Sequence, residues 1–450
     1  MGQIDYIKPP DSRGPLRRID GIDENHALYG NYLGLQYVFA QALDPDVLKA
    51  AAGELLRRYP ALAGRYDQKN ACVIADDKGV PFHLVRGVSG AAQDYAGLGA
   101  EIGNRFHFVD EPPRRAVMSG KAVLSSIKLT LFEGGGCILG LAVNHMLLDA
   151  AGFHLLAREF GEIYSAMAAR QVLPETKLIF DLNTFQFGTQ RNQTEVKAAL
   201  AEPNFDLPVK VKGGMGRAIR ALIAFAMERP ARQKRACFYF TAEQVASLKQ
   251  SLQRESGEPW ISTNVALGAH MLSVMSRLQY DGAPKTHIQI GQLLDLRGRY
   301  FNTDDPRQGH YVGNAIYIFT DKTVFENGIQ NTPRGEIARF LKASLARLNG
   351  DFLKGRLDLT ADCLRIGRSY PGLDMKDPMM SLNNQSKMPV YDLAFGEAKL
   401  LRVIPQDVGD HIMFFPARDG GVEVYVRDLI KPKRLADLAA PDWQARIFDL

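Results

Sequence analysis

His145 and Asp149 are the residues of this chain whose types and spacing best suit catalysis. His145 follows the apolar run 137–143 and Asn144, and a buried strand that ends there would hold the imidazole in a fixed place. A neutral imidazole can take a proton near pH 7, as a general base does. Among the nine histidines, only His145 has an aspartate at position i+4. From these two residues alone, a histidine that is hydrogen-bonded within the core is the simpler interpretation. A catalytic role therefore depends on evidence from the rest of the chain.

The N-terminal part of the chain shows the elements that would position this histidine. Asp44 and Pro45 supply a cap and a first-turn proline, and apolar residues at helical spacing follow until Pro60. Residues 80–85, 123–132 and 137–143 are predicted strands, and the glycines of 133–136 predict a hairpin-like turn. After His145, an apolar face at helical spacing over 153–167 predicts a helix. The histidine is therefore expected between a strand and a helix.

The C-terminal part repeats this alternation after a weakly patterned stretch, 173–235, which we interpret as a crossover. Thr241 with Gln244 predicts a capped helix after a strand at 237–240, and Ser262 or Thr263 can cap a second helix. Further strands are predicted at 288–294, 315–319, 399–404 and 422–426. The fold class is therefore α/β.

Composition limits the possible functions. A length of 450 residues favours two domains or more, and the net charge of +5 argues against a dedicated nucleic-acid binder. The absence of any 18-residue apolar tract predicts no membrane span, and the first residues do not resemble a secretory signal. Four scattered cysteines without metal spacing predict a reducing, cytoplasmic location, and no metal site is expected.

Several short motifs accompany His145 in a characteristic order, and together they resemble the BAHD acyltransferase family, which has the chloramphenicol acetyltransferase-like fold. The resemblance extends from about Tyr32 to Arg427. The motifs that carry it are Tyr59-Pro60-Ala61-Leu62-Ala63-Gly64-Arg65, His145 with Asp149, Asp295-Leu296-Arg297, and Tyr311-Val312-Gly313-Asn314-Ala315.

The resemblance implies two similar domains of mixed sheet flanked by helices, with a solvent channel along their interface. We place the first domain at 1–190, a long crossover loop at 191–235 and the second domain at 236–450; a segment near 375–400 is expected to pack with the first half. The implied reaction moves an acyl group from acyl-CoA, a co-substrate rather than a bound cofactor, to an alcohol or amine of a small molecule. Of the two acceptors, we expect the hydroxyl. His145 would be the general base, acting in direct attack through a tetrahedral intermediate. We expect a monomer.

Asp149 invites interpretation as a catalytic partner of His145, but the resemblance implies a structural pair with Arg297. A buried ion pair of this kind holds a loop in shape without touching substrate. Gly152 is expected to support the same loop, since the glycine that usually follows the aspartate is Ala150 here.

Other positions depart from the family pattern or stay open. The family's Asp-Phe-Gly-Trp-Gly motif appears as residues 394–398 without its aspartate and tryptophan. Ser381, Asn383 and Asn384 are candidate donors to the thioester oxygen. Lys210, Lys212 and Arg217 lie in a basic group at 210–235 that could be a solvated linker, contact CoA phosphates or lie on a membrane.

Two other functions remain open at this point. A condensation-type domain would take the acyl group from a carrier protein, but such domains usually have two consecutive histidines, and Asn144 occupies the first place here. A catalytically inactive binding member of the fold is suggested by the altered motif at 394–398.

Overall fold

A computed structural model describes the chain over residues 2–8, 17–18, 31–70, 72–74, 78–98, 101–104, 108–181, 187–200, 234–280, 282–300, 304–348, 350–366, 379–406, 412–427 and 436–450. The strands in chain order are β1 (Gln3–Ile7), β2 (Arg17–Arg18), β3 (Tyr32–Phe39), β4 (Arg65–Asp67), β5 (Cys72–Ile74), β6 (Val80–Val88), β7 (Glu101–Asn104), β8 (Ser125–Phe132), β9 (Cys137–Asn144), β10 (Lys234–Phe240), β11 (His287–Asp295), β12 (Ile316–Val324), β13 (Met379–Asn384), β14 (Leu400–Pro405), β15 (Ile412–Pro416) and β16 (Val422–Arg427).

The helices in chain order are α1 (Pro45–Arg58), α2 (Arg114–Met118), α3 (Ala150–Ala168), α4 (Gln193–Ala199), α5 (Ala242–Ser256), α6 (Thr263–Gln279), α7 (Arg297–Tyr300), α8 (Arg334–Ala346), α9 (Gly350–Arg365) and α10 (Pro441–Ile447). Each helix in the described part of the chain is too short or too polar to cross a bilayer.

Local capping explains where the helices begin. The side chain of Asp44 accepts hydrogen bonds from the backbone N–H groups of Asp46 and Val47 at the start of α1. Thr241 caps α5 with a capping box, and Ser262 caps α6. These three helix starts were predicted from the sequence and are confirmed, whereas α8 and α9 were missed.

Two large sheets organise the described residues. The first has the strand order β1-β6-β8-β9-β3-β14, and the second has the order β12-β11-β13-β15-β16-β10-β7. In the first sheet β8 and β9 form the predicted hairpin, whose turn uses the left-handed Gly135 and Gly136 (φ 97° and 76°). A third, small sheet has the order β2-β5-β4. The predicted mixed α/β architecture with two sheets flanked by helices is confirmed.

The two sheets exchange strands. β7 pairs with β10 in the second sheet, although it lies within the first 190 residues, and β14 pairs with β3 in the first sheet. Each strand extends an antiparallel ladder there, which satisfies its backbone groups. If the chain is divided at residues 190 and 236, β7 falls in the first domain but belongs to the second sheet, and β14 falls in the second domain but belongs to the first sheet. The domain boundaries therefore stay a prediction. The predicted crossover 191–235 begins with α4, and residues 201–233 lie outside the described part.

Buried apolar side chains run without interruption from one sheet to the other. The core under α1 and α3 includes Leu139 and Phe160 from the first half and Met413 and Phe415 from the second sheet. A buried ion pair joins Arg402 of β14 to Glu423 of β16 across the same junction. The junction of the sheets is therefore a packed interior in which side chains can be fixed.

Candidate active site

The structure places His145 at the carboxyl end of β9, a strand whose residues are all buried between β8 and β3. The backbone N–H of His145 donates to the carbonyl of Asn31 at 2.8 Å. The side chain of Asn144 accepts from the N–H of Met146 at 3.1 Å and closes the turn that follows. The imidazole is thus carried by a rigid strand end, as predicted, and keeps partial exposure to solvent.

Asn314 contacts both the backbone and the ring of His145. Its Nδ2 donates to the His145 carbonyl at 2.9 Å, and its Oδ1 lies 3.2 Å from the ring Nδ1. Because the amide nitrogen is committed to the carbonyl, the amide oxygen faces the ring and needs a donor there. Nδ1 therefore carries the hydrogen, and the lone pair of the neutral ring lies on Nε2.

The surroundings of His145 keep its ring neutral. Burial lowers the pKa of the imidazole below its ordinary value, and the nearby hydrogen bonds and the Asp149 carboxylate only partly oppose this shift. A ring that is neutral at pH 7, with Nε2 unprotonated, is ready to accept a proton.

Asp149 lies beside the catalytic candidate but binds elsewhere. Its carboxylate caps α3 through the N–H of Gly152 at 2.9 Å and accepts from the N–H of Ala315 at 2.7 Å. Arg297 donates to both carboxylate oxygens, at 2.8 and 2.9 Å, in a bidentate pair. The expected contact between Asp149 and Arg297 is present, and both side chains are buried. Its supporting role stays a prediction.

Arg297 connects this pair to the loop that carries Asn314. Its guanidinium also donates to the carbonyls of Tyr311 and Gly313, at 3.1 and 2.8 Å. Asn314 is thus bracketed in the chain by Gly313, which Arg297 holds, and by Ala315, which Asp149 holds. The ion pair therefore fixes the backbone on both sides of the residue that contacts His145.

Gly152 permits the close approach of α3 to this loop. A Cβ atom at Gly152 would lie 1.7 Å from the carbonyl oxygen of Val312, a distance that only a shift of the loop could relieve. The predicted support by Gly152 has this steric basis, since any side chain would push α3 away from residues 312–315.

The candidate oxyanion donors lie on β13, which runs parallel to β11. Ser381 is fully buried, whereas Asn383 and Asn384 are half-buried at the strand end. The Oδ1 of Asn384 accepts from the N–H and hydroxyl of Ser386, and that of Asn383 accepts from Gln385. In the contacts among described residues, these three side chains are not bonded to His145, so an oxyanion role stays a prediction.

The altered motif at 394–398 serves packing in this structure. Phe395 is fully buried and contacts the rings of Phe39, Phe160 and Tyr164 at centroid distances of 5.4 to 5.6 Å. The carbonyl of Ala394 lies against Gly161 of α3. This part of the segment near 375–400 packs with the first half, while β13 belongs to the second sheet.

Other sequence candidates fall outside the site or outside the described residues. Lys210, Lys212 and Arg217 lie in the part of the chain that the structure does not describe. Arg235, at the end of the same basic group, is buried and donates to the carbonyl of Pro405 at 2.5 Å, a structural contact. Within the described residues no cluster of His, Cys, Asp or Glu could hold a metal ion.

Two residues of interest have roles that the sequence did not reveal. Asn314 belonged to a quoted motif, but its contact with His145 spans 169 positions of the chain. His154 lies one turn into α3 and lines a cavity between α3 and the second sheet. An isolated histidine on an apolar helix face is indistinguishable from a core residue in the sequence.

Comparison with known proteins gives a family and a set of relatives. A model of the Transferase family matches residues 35–434. Anthranilate N-benzoyltransferase protein 1 of Dianthus caryophyllus is 21% identical over 301 residues, 66% of this chain and 62% of that protein. Alcohol acyl transferase 1 allele RGc of Malus domestica is 22% identical over 301 residues, 66% of this chain and 59% of that protein. The chain thus spans about three fifths of these relatives.

The fold is also similar to solved structures. A crystal structure of TRI101 of F. graminearum, complexed with coenzyme A and T-2 mycotoxin, matches with a TM-score of 0.70 and 15% identity. The match covers 96% of this chain and 98% of that chain. It supports the predicted two-part chloramphenicol acetyltransferase-like fold.

Proposed function

Because the chain belongs to the Transferase family, that of the BAHD acyltransferases, we propose that it moves an acyl group from an acyl-CoA thioester to a small-molecule hydroxyl. The observation that carries this proposal is the contact of 3.2 Å between Nδ1 of His145 and Oδ1 of Asn314, because it leaves Nε2 of the neutral ring as the proton acceptor. The names of the relatives include an N-benzoyltransferase and an alcohol acyl transferase. Between an amine and a hydroxyl as the acceptor group, we propose the hydroxyl.

The proposed reaction begins with proton transfer to Nε2. A hydroxyl attacks a thioester poorly, and removal of its proton as the new C–O bond forms contributes about 10²–10⁴-fold. The tetrahedral intermediate then collapses, the C–S bond breaks, and the imidazolium returns the proton to the departing CoA thiolate. No covalent enzyme intermediate is formed.

Two features of the site support this role for His145. The strand end and Asn314 fix the ring, which lowers the entropic cost of bringing base and hydroxyl together. The Asp149–Arg297 pair holds the backbone around Asn314 without taking part in proton transfer. A donor to the oxyanion would come from β13, where Ser381, Asn383 and Asn384 are the candidates.

The experiment that tests the function is product formation by the purified chain with acetyl-CoA, longer acyl-CoAs and a panel of alcohols and amines. We expect free thiol and an ester in equal amounts. A parallel reaction with the same acyl group on a carrier protein tests the condensation-type alternative, and a larger rate from the carrier would contradict our choice of donor. Thioester turnover with none of the donors would support the inactive binding member instead.

A further inference from the structure

A cavity between α3 and the second sheet has almost entirely apolar walls. Side chains from both halves of the fold line it: Leu33, Leu35, Phe153, Met388, Met413 and Phe415. Ala150, the first residue of α3, also lines it, which places the cavity close to the turn that follows His145. Among the described residues that line the cavity, His154 and Gln385 are the two with polar side chains.

His154 is buried at this cavity with one of its ring nitrogens committed. The side chain is 4% exposed, and Nε2 lies 2.6 Å from the carbonyl oxygen of Pro389. A carbonyl oxygen can only accept, so Nε2 carries the hydrogen and donates. In the neutral ring Nδ1 is then an acceptor.

Nδ1 of His154 is buried and has no hydrogen-bond partner among the described residues. The ring is neutral near pH 7 because burial lowers its pKa; the charge of Arg158 adds to this shift, and that of Asp392 opposes it. A buried acceptor without a donor is unfavourable, and native proteins rarely keep one unless a ligand or an ordered water satisfies it.

We propose that this cavity binds an apolar substrate group that carries a hydroxyl, and that Nδ1 of His154 accepts a hydrogen bond from that hydroxyl. This inference rests on the proposed acyltransferase function and names its substrate class more closely. The apolar walls would bury the hydrocarbon part, while His154 would select against analogues that lack the hydroxyl.

The hydroxyl could belong to the acyl group or to the acceptor, and paired ligands distinguish the two sources. One arm compares 3-hydroxybutyryl-CoA with butyryl-CoA. The other compares hexane-1,6-diol with 6-methoxyhexan-1-ol, in which one donor is capped. Equilibrium binding to the purified chain by calorimetry does not require turnover, so a failure of the proposed function would not hide the result.

Two substitutions test the contributions of the two ring nitrogens of His154 separately. His154→Asn can place an amide oxygen near the position of Nδ1, whereas His154→Gln can place an amide N–H near the position of Nε2 and keep the bond to Pro389. We expect wild type and H154N to prefer the hydroxylated member of one pair by about tenfold, and H154Q to lose this preference. Thermal unfolding verifies that both variants fold.

A purely structural role gives the opposite pattern, with H154Q like wild type and H154N impaired for both members of each pair. The inference would be overturned if the two ligands of each pair bound equally well, or if none of the four ligands bound. Either result is expected if an ordered water donates to Nδ1 instead of a substrate hydroxyl. If the preference is present but wild type transfers no acyl group, the inference on binding stands and the proposed function fails.

Discussion

Asn314 and His145 are joined twice: the amide Nδ2 of Asn314 donates to the His145 carbonyl at 2.9 Å, and the amide Oδ1 lies 3.2 Å from the ring Nδ1. One amide thereby orients both the backbone and the ring of the same residue. It leaves Nε2 as the atom that can accept a proton. The loop that carries Asn314 is held in turn by Asp149 and Arg297, so the ion pair influences the position of His145 through Asn314.

Replacement of Asn314 by alanine should lower kcat more than it changes KM. The ring would lose the contact that fixes its orientation, and misplacement of a catalytic group by about 1 Å can cost 10²-fold. The contact with Asn314 raises the pKa of His145, so its loss should move the acid limb of the rate profile to lower pH. A steady-state pH series on N314A measures both effects. If N314A were less stable than wild type but its acid limb lay at the same pH, Asn314 would have a merely structural role.

The activity of the wild-type chain should depend on pH through His145. Burial lowers the pKa of this imidazole, and the active form is neutral. kcat/KM should therefore stay level as the pH falls towards the ordinary histidine value of about 6.5 and decline only below it. A profile of kcat/KM between about pH 5 and 8 gives this value. An acid limb at or above 6.5 would contradict the assigned environment of the ring.

Replacement of Asp149 by asparagine should destabilise the fold strongly. It would leave the guanidinium of Arg297 buried without its carboxylate, and breaking a buried pair costs about 3–5 kcal/mol. Denaturant titration measures the free energy of unfolding. Glu162→Gln is the matched control, because Glu162 pairs with Arg158 on the surface of α3 and should cost under about 1 kcal/mol. Equal effects of the two substitutions would refute a structural role for the buried pair.

Replacement of Gly152 by alanine should also destabilise, for a steric reason. The added Cβ would meet the carbonyl of Val312 at 1.7 Å, and overpacking of this kind costs about 1–3 kcal/mol or more. Gly355 of α9 has no heavy atom within 4 Å of a Cβ, so G355A should be neutral or stabilise by up to about 1 kcal/mol. Thermal unfolding of both variants tests the contrast, and a neutral G152A would show that the loop can move freely.

Much of the fold could be predicted because its signals are local. Asp44, Thr241 and Ser262 predict helix starts because each caps backbone N–H groups no more than three residues further along the chain. The apolar run before His145 predicts a buried strand. Asn314 and His154 could not be assigned in this way, since their roles depend on the backbone atoms of His145 and Pro389, which are distant in the chain. The exchange of β7 and β14 between the sheets depends likewise on long-range pairing. The pairing of Asp149 with Arg297 was accessible only through resemblance to a family.

The proposed function requires that the imidazole of His145 removes the proton of the attacking hydroxyl. The most direct test compares the rate of ester formation from acetyl-CoA by wild type, His145→Ala and, as a control, His287→Ala, whose side chain is exposed at the start of β11. We predict that H145A loses about 10²–10⁴-fold in kcat while it keeps its thermal stability, and that H287A retains the wild-type rate. Wild-type turnover by a folded H145A would contradict the account.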